Sequence, residues 1–522
     1  MNSDHPPTSL PAPRAPRWWL AGLILLIGAV VVVVFQLDAE RAFQARNLRS
    51  AGAVLATLAA LLLWLLLFSR LPWRRRFRIL GGVLGLVVLA AMVFRFQGFS
   101  GDLVPQFTWR WNRPNKPLTQ VPGLPASAVV APVQQETPRS FPQFLGPTRD
   151  AMLPELRLAT NWVSRPPVLL WRQPVGGAWS GFAVQGDWAI TQEQVGEDEC
   201  VTAFHSVTGE RRWQRRDVAR YQNPLAGEGP RATPTIVGDR VVTFGATGWL
   251  NCLELTTGKL VWQHQVKDEF SAGLPEWGFT SAPLVGDGRV VVSVGGRKDR
   301  SLVAYALGDG TFLWGGGKAS PGYSAAVFAR FAGEEQVVIF NDEHVSSHSP
   351  TNGAVLWTYP WKKNHPHVAV PIRLENDRLL ISSGYGTGSG LIQVQRTNDT
   401  WKAHELWKTT RFRSKFSNPV ARDGFAYGLD DGMLACLDLA TGELAWKEGR
   451  YGHGQVLLVG GRLLVTAEDG RVLLFEISPK QATLLTLFQP LQGKCWNPPA
   501  LAGDLLFVRN ETEAACYRIP LE

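Results

Sequence analysis

A glycine followed four residues later by tryptophan recurs five times in this chain and constrains its fold more than any other feature. The copies are Gly209–Trp213, Gly258–Trp262, Gly310–Trp314, Gly353–Trp357 and Gly442–Trp446. A glycine in a tight turn takes a positive φ, and the residues after it can run as a short strand that ends in the large ring. We interpret each copy as a hairpin whose tryptophan packs between neighbouring repeats and donates its indole N–H to a carbonyl.

Weaker copies extend the array to eight anchor positions. Trp171, Trp407 and Phe488 stand where the tryptophan is expected, and successive anchors lie 42, 49, 52, 43, 50, 39 and 42 residues apart. This is the period of a four-stranded propeller blade rather than of a helical repeat. Each interval also holds three short β-branched or alternating runs, such as residues 234–245 followed by 249–255. The sequence therefore predicts an all-β, eight-bladed propeller.

The two ends of the array predict how the ring closes. After Phe488 the sequence supplies three more strands, around Ala500, Phe507 and Tyr517, and no fourth. Residues 168–175 form a fourth-type strand with no blade before it. We expect this early strand to complete the last blade, because that pairing joins the ends of the ring and removes a lone edge strand.

Blades that carry the Thr-Gly-x-x-x-Trp phrase, as in Thr257–Trp262 and Thr441–Trp446, resemble the pyrroloquinoline-quinone-like (PQQ-like) repeat propellers. The resemblance covers residues 141–522, and Phe141–Asp150 is similar to the lead-in of many bacterial members. It is specific for the fold and much less so for function. The class includes quinoprotein dehydrogenases and also a non-catalytic scaffold of outer-membrane barrel assembly.

Three apolar segments precede the predicted propeller. Residues 18–37, 51–71 and 79–99 are nearly free of charge, and a length of about twenty residues suffices to cross a bilayer. We predict three transmembrane helices. A cleaved signal peptide stays open as an alternative for the first segment because Arg14 and Arg17 precede it, although its apolar run is long and lacks a small-x-small cleavage site.

The loops between these segments predict the orientation of the chain. The first loop mixes arginine with Asp38 and Glu40, whereas the second is crowded with Arg70, Arg74, Arg75, Arg76 and Arg78. Short loops rich in arginine stay cytoplasmic. Residues 1–17 are then a cytoplasmic tail, and the propeller lies on the periplasmic side of the inner membrane, with the lipid bilayer as one partner.

The net charge of +9 follows the same division. Residues 1–98 hold eleven arginines and three acidic residues, so the predicted propeller is nearly neutral. The excess of positive charge therefore reflects the arginines around the membrane segments. Because the predicted propeller has little net charge, the basic composition does not indicate a nucleic-acid partner.

Residues 100–140 contain closely spaced prolines and predict a semi-rigid linker without a lasting helix or central strand. Trp109 and Trp111, near its start, are residues of the kind that commonly lie at a membrane interface.

The cysteines and carboxylates of this chain are candidate parts of an enzyme site. Resemblance to the quinoprotein dehydrogenases implies three features of an active site. The quinone stacks on a ring formed by two adjacent cysteines, carboxylate and amide oxygens hold a calcium ion, and an aspartate acts as the base. None of the five cysteines here is adjacent to another, and Cys252 and Cys436 share one repeat position, which favours small core residues. Asp-Gly pairs in the predicted blades favour hairpin turns, and the closest approach to a metal-type spacing is His365 with His367.

We therefore predict no catalytic residue, no metal and no cofactor. Pyrroloquinoline quinone and Ca²⁺ belong only to the alternative, a membrane-bound quinoprotein dehydrogenase. The preferred prediction is a membrane-tethered periplasmic propeller that acts as a non-catalytic scaffold.

The predicted binding surface is one mouth of the central channel. Residues just before the first strand of each blade ring this mouth and are rich in aromatic side chains, the usual anchors of binding sites together with arginine. They would contact a periplasmic protein or a small ligand, and a packing role between blades remains open for half of them. By repeat alignment they are Trp179, Arg231, Trp277, Tyr323, His367, Phe416, His453 and Trp496.

A second set of aromatics is predicted to be structural and buried between blades. It comprises Trp171, Trp213, Trp262, Trp314, Trp357, Trp407 and Trp446.

Overall fold

The chain divides into two units, Met1–Arg113 and Pro114–Glu522. A computed structural model describes residues 15–38, 41–111, 139–295, 299–363 and 365–522. The central part of the predicted linker, residues 112–138, lies outside these ranges, as do most of the predicted cytoplasmic tail and Glu40.

The first unit contains three helices that are long and apolar enough to cross a membrane. They are α1 (Trp18–Leu37), α2 (Phe43–Leu63), which continues as a π-helical turn (Trp64–Phe68), and α3 (Trp73–Val93). The indole N–H of Trp64 donates to the carbonyl of Arg17 at 3.2 Å. At the other end Gln36 donates to Ser50 at 2.9 Å. The first two helices therefore run antiparallel.

The bounds of the second and third helices differ from the predicted segments; the third, for instance, begins at Trp73, six residues before the predicted 79. The second helix begins eight residues earlier than predicted, at Phe43, because its polar first turns find partners, as when Arg46 donates to the carbonyl of Gln36 at 2.8 Å. The third helix ends at Val93, and Phe94–Phe99 form a strand instead. Hydropathy does not distinguish the two, but the alternating aromatics of that run favour a strand.

The strand Phe94–Phe99 pairs antiparallel with Pro105–Trp109, inside the predicted linker. The proline stands at the first residue of its strand, where a missing N–H is tolerated. We call this two-stranded element the aromatic hairpin.

The second unit is an eight-bladed propeller, as predicted. Each blade is an antiparallel sheet of four consecutive strands, except that the eighth borrows its fourth strand from the start of the unit. First strands of neighbouring blades contact one another around the axis. The strands of the first four blades are: blade 1, Ala183–Gln185, Trp188–Val195, Asp198–His205 and Arg211–Val218; blade 2, Thr235–Val237, Arg240–Phe244, Trp249–Glu254 and Leu260–Gln265; blade 3, Leu284–Gly286, Arg289–Ser293, Leu302–Ala306 and Phe312–Gly316; blade 4, Val327–Phe331, Glu334–Phe340, His344–His348 and Val355–Pro360.

The remaining four blades repeat this order. Their strands are: blade 5, Ile372–Leu374, Arg378–Ser383, Gly388–Thr397 and Thr400–Thr409; blade 6, Val420–Arg422, Phe425–Asp430, Met433–Asp438 and Leu444–Glu448; blade 7, Gln455–Val459, Arg462–Thr466, Val472–Ile477 and Ala482–Phe488; blade 8, Ala500–Ala502, Leu505–Arg509, Glu513–Arg518 and Val168–Pro174. A short helix, Val266–Glu269, and a two-residue hairpin, Gln222–Asn223 with Gly227–Glu228, lie in the connections.

Closure of the ring is confirmed. Val168–Pro174 pairs antiparallel with Glu513–Arg518, and Trp171 lies opposite Cys516. The seam to blade 1 is held by Arg509, which is fully buried and donates to the Thr191 hydroxyl at 2.7 Å.

The repeated phrase proves to be a link between successive blades. Trp262 in blade 2 donates its indole N–H to the carbonyl of Leu307, in the hairpin turn of blade 3, at 2.8 Å. Gly310 of that turn has a φ of +76°, and a Cβ there would lie 2.8 Å from the Trp262 ring. Glycine is required both by the backbone and by the ring of the preceding blade. The same N–H contact to the next blade is made by Trp171, Trp213, Trp314, Trp407 and Trp446.

Two of the eight links are missing: Phe488 of blade 7 has no N–H to donate to blade 8, and among the described residues no such bond joins blades 4 and 5. Trp357 bonds to Gln336 of its own blade at 2.9 Å. The facing turn of blade 5, residues 397–400, has no glycine. The two strands that it joins, Gly388–Thr397 and Thr400–Thr409, are ten residues long each.

Burial of the anchors is less uniform than predicted. Trp171, Trp262, Trp314 and Trp357 are buried. Trp213, Trp407 and Trp446 are only half-buried, although all seven anchors stand on fourth strands, the outermost of each blade.

The lead-in segment, residues 140–153, crosses one end of the channel. Ser140–Phe141 adds to the inner edge of blade 1, and Met152–Leu153 pairs in parallel with the first strand of blade 7. Between them Arg149 is buried and donates to the carbonyls of Ala282 and Pro283, which adjoin the first strand of blade 3, at 3.0 and 2.9 Å. This end of the channel is therefore closed by the chain itself.

Candidate functional site

The open end of the channel is formed by residues that precede the first strands. The lead-in segment joins the first strands of blades 1 and 7 near their carboxyl ends, at Val184 and Leu458. Residues that precede the same strands therefore lie at the opposite end, which we call the mouth.

Four predicted mouth residues meet in one row. The rings of Trp179 and Trp496 are 4.7 Å apart, and Trp496 is 5.0 Å from Phe416. Phe416 in turn lies 5.3 Å from His453. These residues precede blades 1, 8, 6 and 7, so that the row crosses four neighbouring blades. We call them the aromatic row.

A lysine lies over the row. The ammonium of Lys494 is 4.4 Å from the Trp496 ring and 4.9 Å from the Trp179 ring, within cation–π range. Beneath it, Glu468 accepts the indole N–H of Trp496 at 3.0 Å and the backbone N–H of His453 at 3.0 Å. The carboxylate thus fixes the orientation of one aromatic that is half-exposed at the mouth.

The opposite side of the mouth is a cavity of about 700 Å³ among the entrances to blades 3, 4 and 5. Trp277 and Tyr323, both predicted mouth residues and both half-exposed, line it. Burial raises the pKa of Tyr323 to about 12, so its hydroxyl keeps its proton at neutral pH. The charged and titratable residues of the lining are Glu276, Lys318, Asp342 and His365.

Three of the eight predicted mouth residues are buried: Trp179, His367 and His453. His367 stacks on Phe340 at 4.3 Å and donates from Nε2 to the carbonyls of Asp342 and Lys362 at 3.0 and 2.9 Å. Burial lowers the pKa of His367 to about 4, and its ring is neutral at physiological pH. Its role is to hold the loop that carries the cavity wall.

The side chain of Arg231 also makes structural contacts. Its guanidinium donates to the carbonyls of Ala226 and Gly227 at 3.2 and 3.1 Å and lies 4.4 Å from the ring of Tyr221. Burial lowers its pKa to about 10. Besides Arg231, the half-exposed members of the predicted ring are Trp277, Tyr323, Phe416 and Trp496.

Several mouth residues were not found from the sequence. Lys494 lies two residues before Trp496, and Lys415 directly precedes Phe416. This proximity to aligned aromatics is a signal that the sequence offers. Tyr385 follows the second strand of blade 5, outside the aligned position. Its ring lies 4.9 Å from the ammonium of Lys415, next to Phe416 of the aromatic row.

The cysteines do not fit the quinone site of the dehydrogenases. All five are buried and unpaired. Cys252, Cys436 and Cys516 lie directly opposite the anchors Trp262, Trp446 and Trp171 in the blade registers. The core interpretation of Cys252 and Cys436 is confirmed, and burial raises the pKa of each to about 11. Within the described ranges, no group of three His, Cys, Asp or Glu side chains is arranged to hold a metal ion.

The eight blades, their interlocking tryptophans and the aromatic mouth define a propeller of the PQQ-like repeat class. Residues 168–273 and 197–448, more than half of the chain, match the family model described as outer membrane protein assembly factor BamB. The chain belongs to this family.

The chain is also similar to several individual proteins. The outer membrane protein assembly factor BamB of Burkholderia pseudomallei (strain K96243) is 24% identical over 333 residues, which are 56% of this chain and 85% of the relative. The crystal structure of BamB from Moraxella catarrhalis is 13% identical, covering 68% of this chain and 98% of that one, with a TM-score of 0.47. The quinohemoprotein alcohol dehydrogenase ADHIIG from Pseudomonas putida HK5 is 12% identical, covering 74% and 81%, with a TM-score of 0.52. The last likeness shows the fold alone.

Proposed function

We propose that this protein is an inner-membrane-tethered periplasmic scaffold that binds a protein partner at the mouth of its propeller and catalyses no reaction. One observation carries the proposal: half-exposed aromatic rings and a lysine converge at the open end of a channel whose other end is closed by the lead-in segment. Aromatic side chains with an apolar body and a polar tip are typical anchors of protein interfaces.

The shape of the mouth favours a protein partner over a single small ligand. The aromatic row crosses the entrances to four blades, and the cavity with Trp277 and Tyr323 occupies the entrances to others. Together they offer two separated anchoring regions around one opening. A protein loop or extended segment can contact both, and membership of a family described as an assembly factor supports the same choice.

Orientation in the membrane follows from the arginines before and within α3. An alkaline phosphatase fused after Trp111 should be active, and one fused after Arg76 should be inactive, because the Arg74–Arg76 cluster stays in the cytoplasm. Enzyme activity of the two fusions in cells, normalised to fusion protein level, measures this. The reverse pair of activities would place the propeller in the cytoplasm and contradict the proposal.

The binding surface is tested by photo-cross-linking in living cells. p-Benzoylphenylalanine placed at Trp277 or at Tyr323 should give a discrete adduct with a periplasmic protein. The matched control is Leu406, exposed on the outer strand of blade 5, where we expect no such adduct. The measurement is the set of cross-linked bands, identified by mass spectrometry.

Two results would overturn this assignment. Equal adducts from Leu406 and from the mouth positions would show that the mouth is not the binding surface. A bound chromophore together with dye reduction, after the purified protein is mixed with pyrroloquinoline quinone and Ca²⁺, would support the alternative, a membrane-bound quinoprotein dehydrogenase.

A further inference from the structure

The aromatic hairpin has two chemically different faces. Phe94 lies opposite Trp109 and Phe96 opposite Phe107, so these four rings share one face. Their centroids are 4.7 and 5.7 Å apart within each pair, and Trp111 stacks on Trp109 at 5.3 Å.

All of these rings are exposed although they pack against one another. Phe107 is 60% exposed and Trp111 66%. The other face is polar: Arg95 lies opposite Thr108, whose hydroxyl accepts a hydrogen bond from Gln97 at 3.0 Å. An exposed aromatic face of this size on a two-stranded element indicates a surface with a partner.

The position of the hairpin along the chain identifies that partner. Phe94 directly follows Val93, the last residue of α3. Over its whole length, Trp73–Val93, the helix rises about 30 Å, which matches the roughly 30 Å of a hydrocarbon core. The arginines of its first turns extend their charged heads towards the inner headgroups. With those arginines at the inner headgroups, the helix ends near the outer edge of the hydrocarbon, and the hairpin begins there.

Contacts within the first unit hold the hairpin at that level. The loop between its strands carries Asp102, whose carbonyl accepts a hydrogen bond from Asn47 near the start of α2 at 3.1 Å. The start of α2 and the end of α3 therefore lie at the same face of the helices. A hairpin has two unpaired backbone edges, which hydrocarbon does not tolerate and the hydrated headgroup region does.

We propose that the aromatic hairpin lies flat in the outer interface of the bilayer that α3 spans, with Phe94, Phe96, Phe107 and Trp109 facing the lipid and Arg95 and Thr108 facing water. Aromatic rings are enriched at this depth of a bilayer. The inference rests on the proposed membrane insertion of α3 and is independent of binding at the mouth.

Adjacent residues on opposite faces provide the test. Single variants Phe107→Cys and Thr108→Cys of the full chain are spin-labelled in nanodiscs of phosphatidylethanolamine and phosphatidylglycerol. All five native cysteines are buried, so the label reports the introduced position. Accessibility to oxygen, which partitions into lipid, is compared with accessibility to a water-soluble nickel chelate.

We expect the oxygen-to-nickel accessibility ratio to be several-fold higher at position 107 than at 108. A second pair, Phe96→Cys and Gln97→Cys, repeats the comparison on the other strand and keeps the test valid if one variant misfolds. Leu86→Cys, exposed on α3, is the control for insertion and should give a high ratio.

Each other outcome contradicts the proposal in a distinguishable way. A high ratio at 86 with a low ratio at both 107 and 96 places the aromatic face in water and overturns the hairpin inference alone. Low accessibility to both reagents at 107 and 96 means that protein covers the face, and also overturns it. A low ratio at 86 overturns the membrane insertion of α3 together with the inference.

Discussion

Replacing Trp262 by alanine should lower the free energy of unfolding by about 3–5 kcal/mol, as for other large buried aromatics. The ring is 7% exposed, donates to the carbonyl of Leu307 in the next blade, and lies against Gly310. Alanine leaves a cavity between two blades and an unpaired carbonyl. Denaturant or thermal unfolding of the full chain measures the loss.

The matched control is Trp277→Ala. This tryptophan is half-exposed on the wall of the mouth cavity, so its removal should change stability little while weakening the cross-link from Tyr323. If both substitutions destabilised the protein equally, the mouth aromatics would be core residues. The proposed binding surface would then be wrong, and the fold would stand.

Deleting residues 168–175 should unfold the last blade as well as weaken the first. Val168–Pro174 supplies the fourth strand of blade 8, and Arg172 within it donates to Glu513 at 2.6 Å. We expect amides of Leu505–Arg509 and Glu513–Arg518 to lose most of their protection in hydrogen exchange, because a three-stranded blade with an open edge replaces a closed one.

Deletion of residues 114–135 is the control for this experiment, because it takes no strand from any blade. Protection of blade 8 should then stay as in the intact chain. Full protection of Glu513–Arg518 after the 168–175 deletion would contradict the closure observed in the register of the two strands.

The blade architecture was predictable because one physical requirement recurs at a fixed spacing. Gly310 and Gly442 must adopt positive φ and must admit the ring of the preceding blade, and glycine recurs in five of the six linked turns. The exception is the turn Ser478–Gln481, which accepts the Trp446 N–H without a glycine. Closure was predictable for a related reason: an unpaired fourth-type strand at 168–175 matched a blade that lacked one. Trp357 shows the limit, since its phrase is intact but its ring bonds within its own blade.

The sequence predicts where the mouth residues lie along the chain better than it predicts which of their side chains are exposed. Repeat alignment identifies residues that precede first strands, and three of them, Trp179, Trp496 and Phe416, are in ring contact. Alignment does not report which side chains turn inward. His367 is buried and bonds to the carbonyl of Lys362 in its own loop and to that of Asp342 in another loop, and the local sequence does not predict the second contact.

The aromatic hairpin escaped prediction because its strand continues the apolar run of α3. Only Arg95 is charged in the run 79–99, and the change from helix to strand at Phe94 depends on pairing with residues 105–109 across a loop. Non-local pairing of this kind is the part of a fold that composition describes least well.

The lead-in segment changes the thermodynamics expected of a repeat protein. In an open array each repeat contacts only its neighbours, and stability behaves as a one-dimensional sum in which end repeats fray first. Here the closed ring has no end repeat, and residues 140–153 connect blades 1, 3 and 7, which are not all neighbours. Loss of any one of these blades removes a support from the others. The cooperative unit is therefore the whole propeller, and a single sharp unfolding transition is its signature.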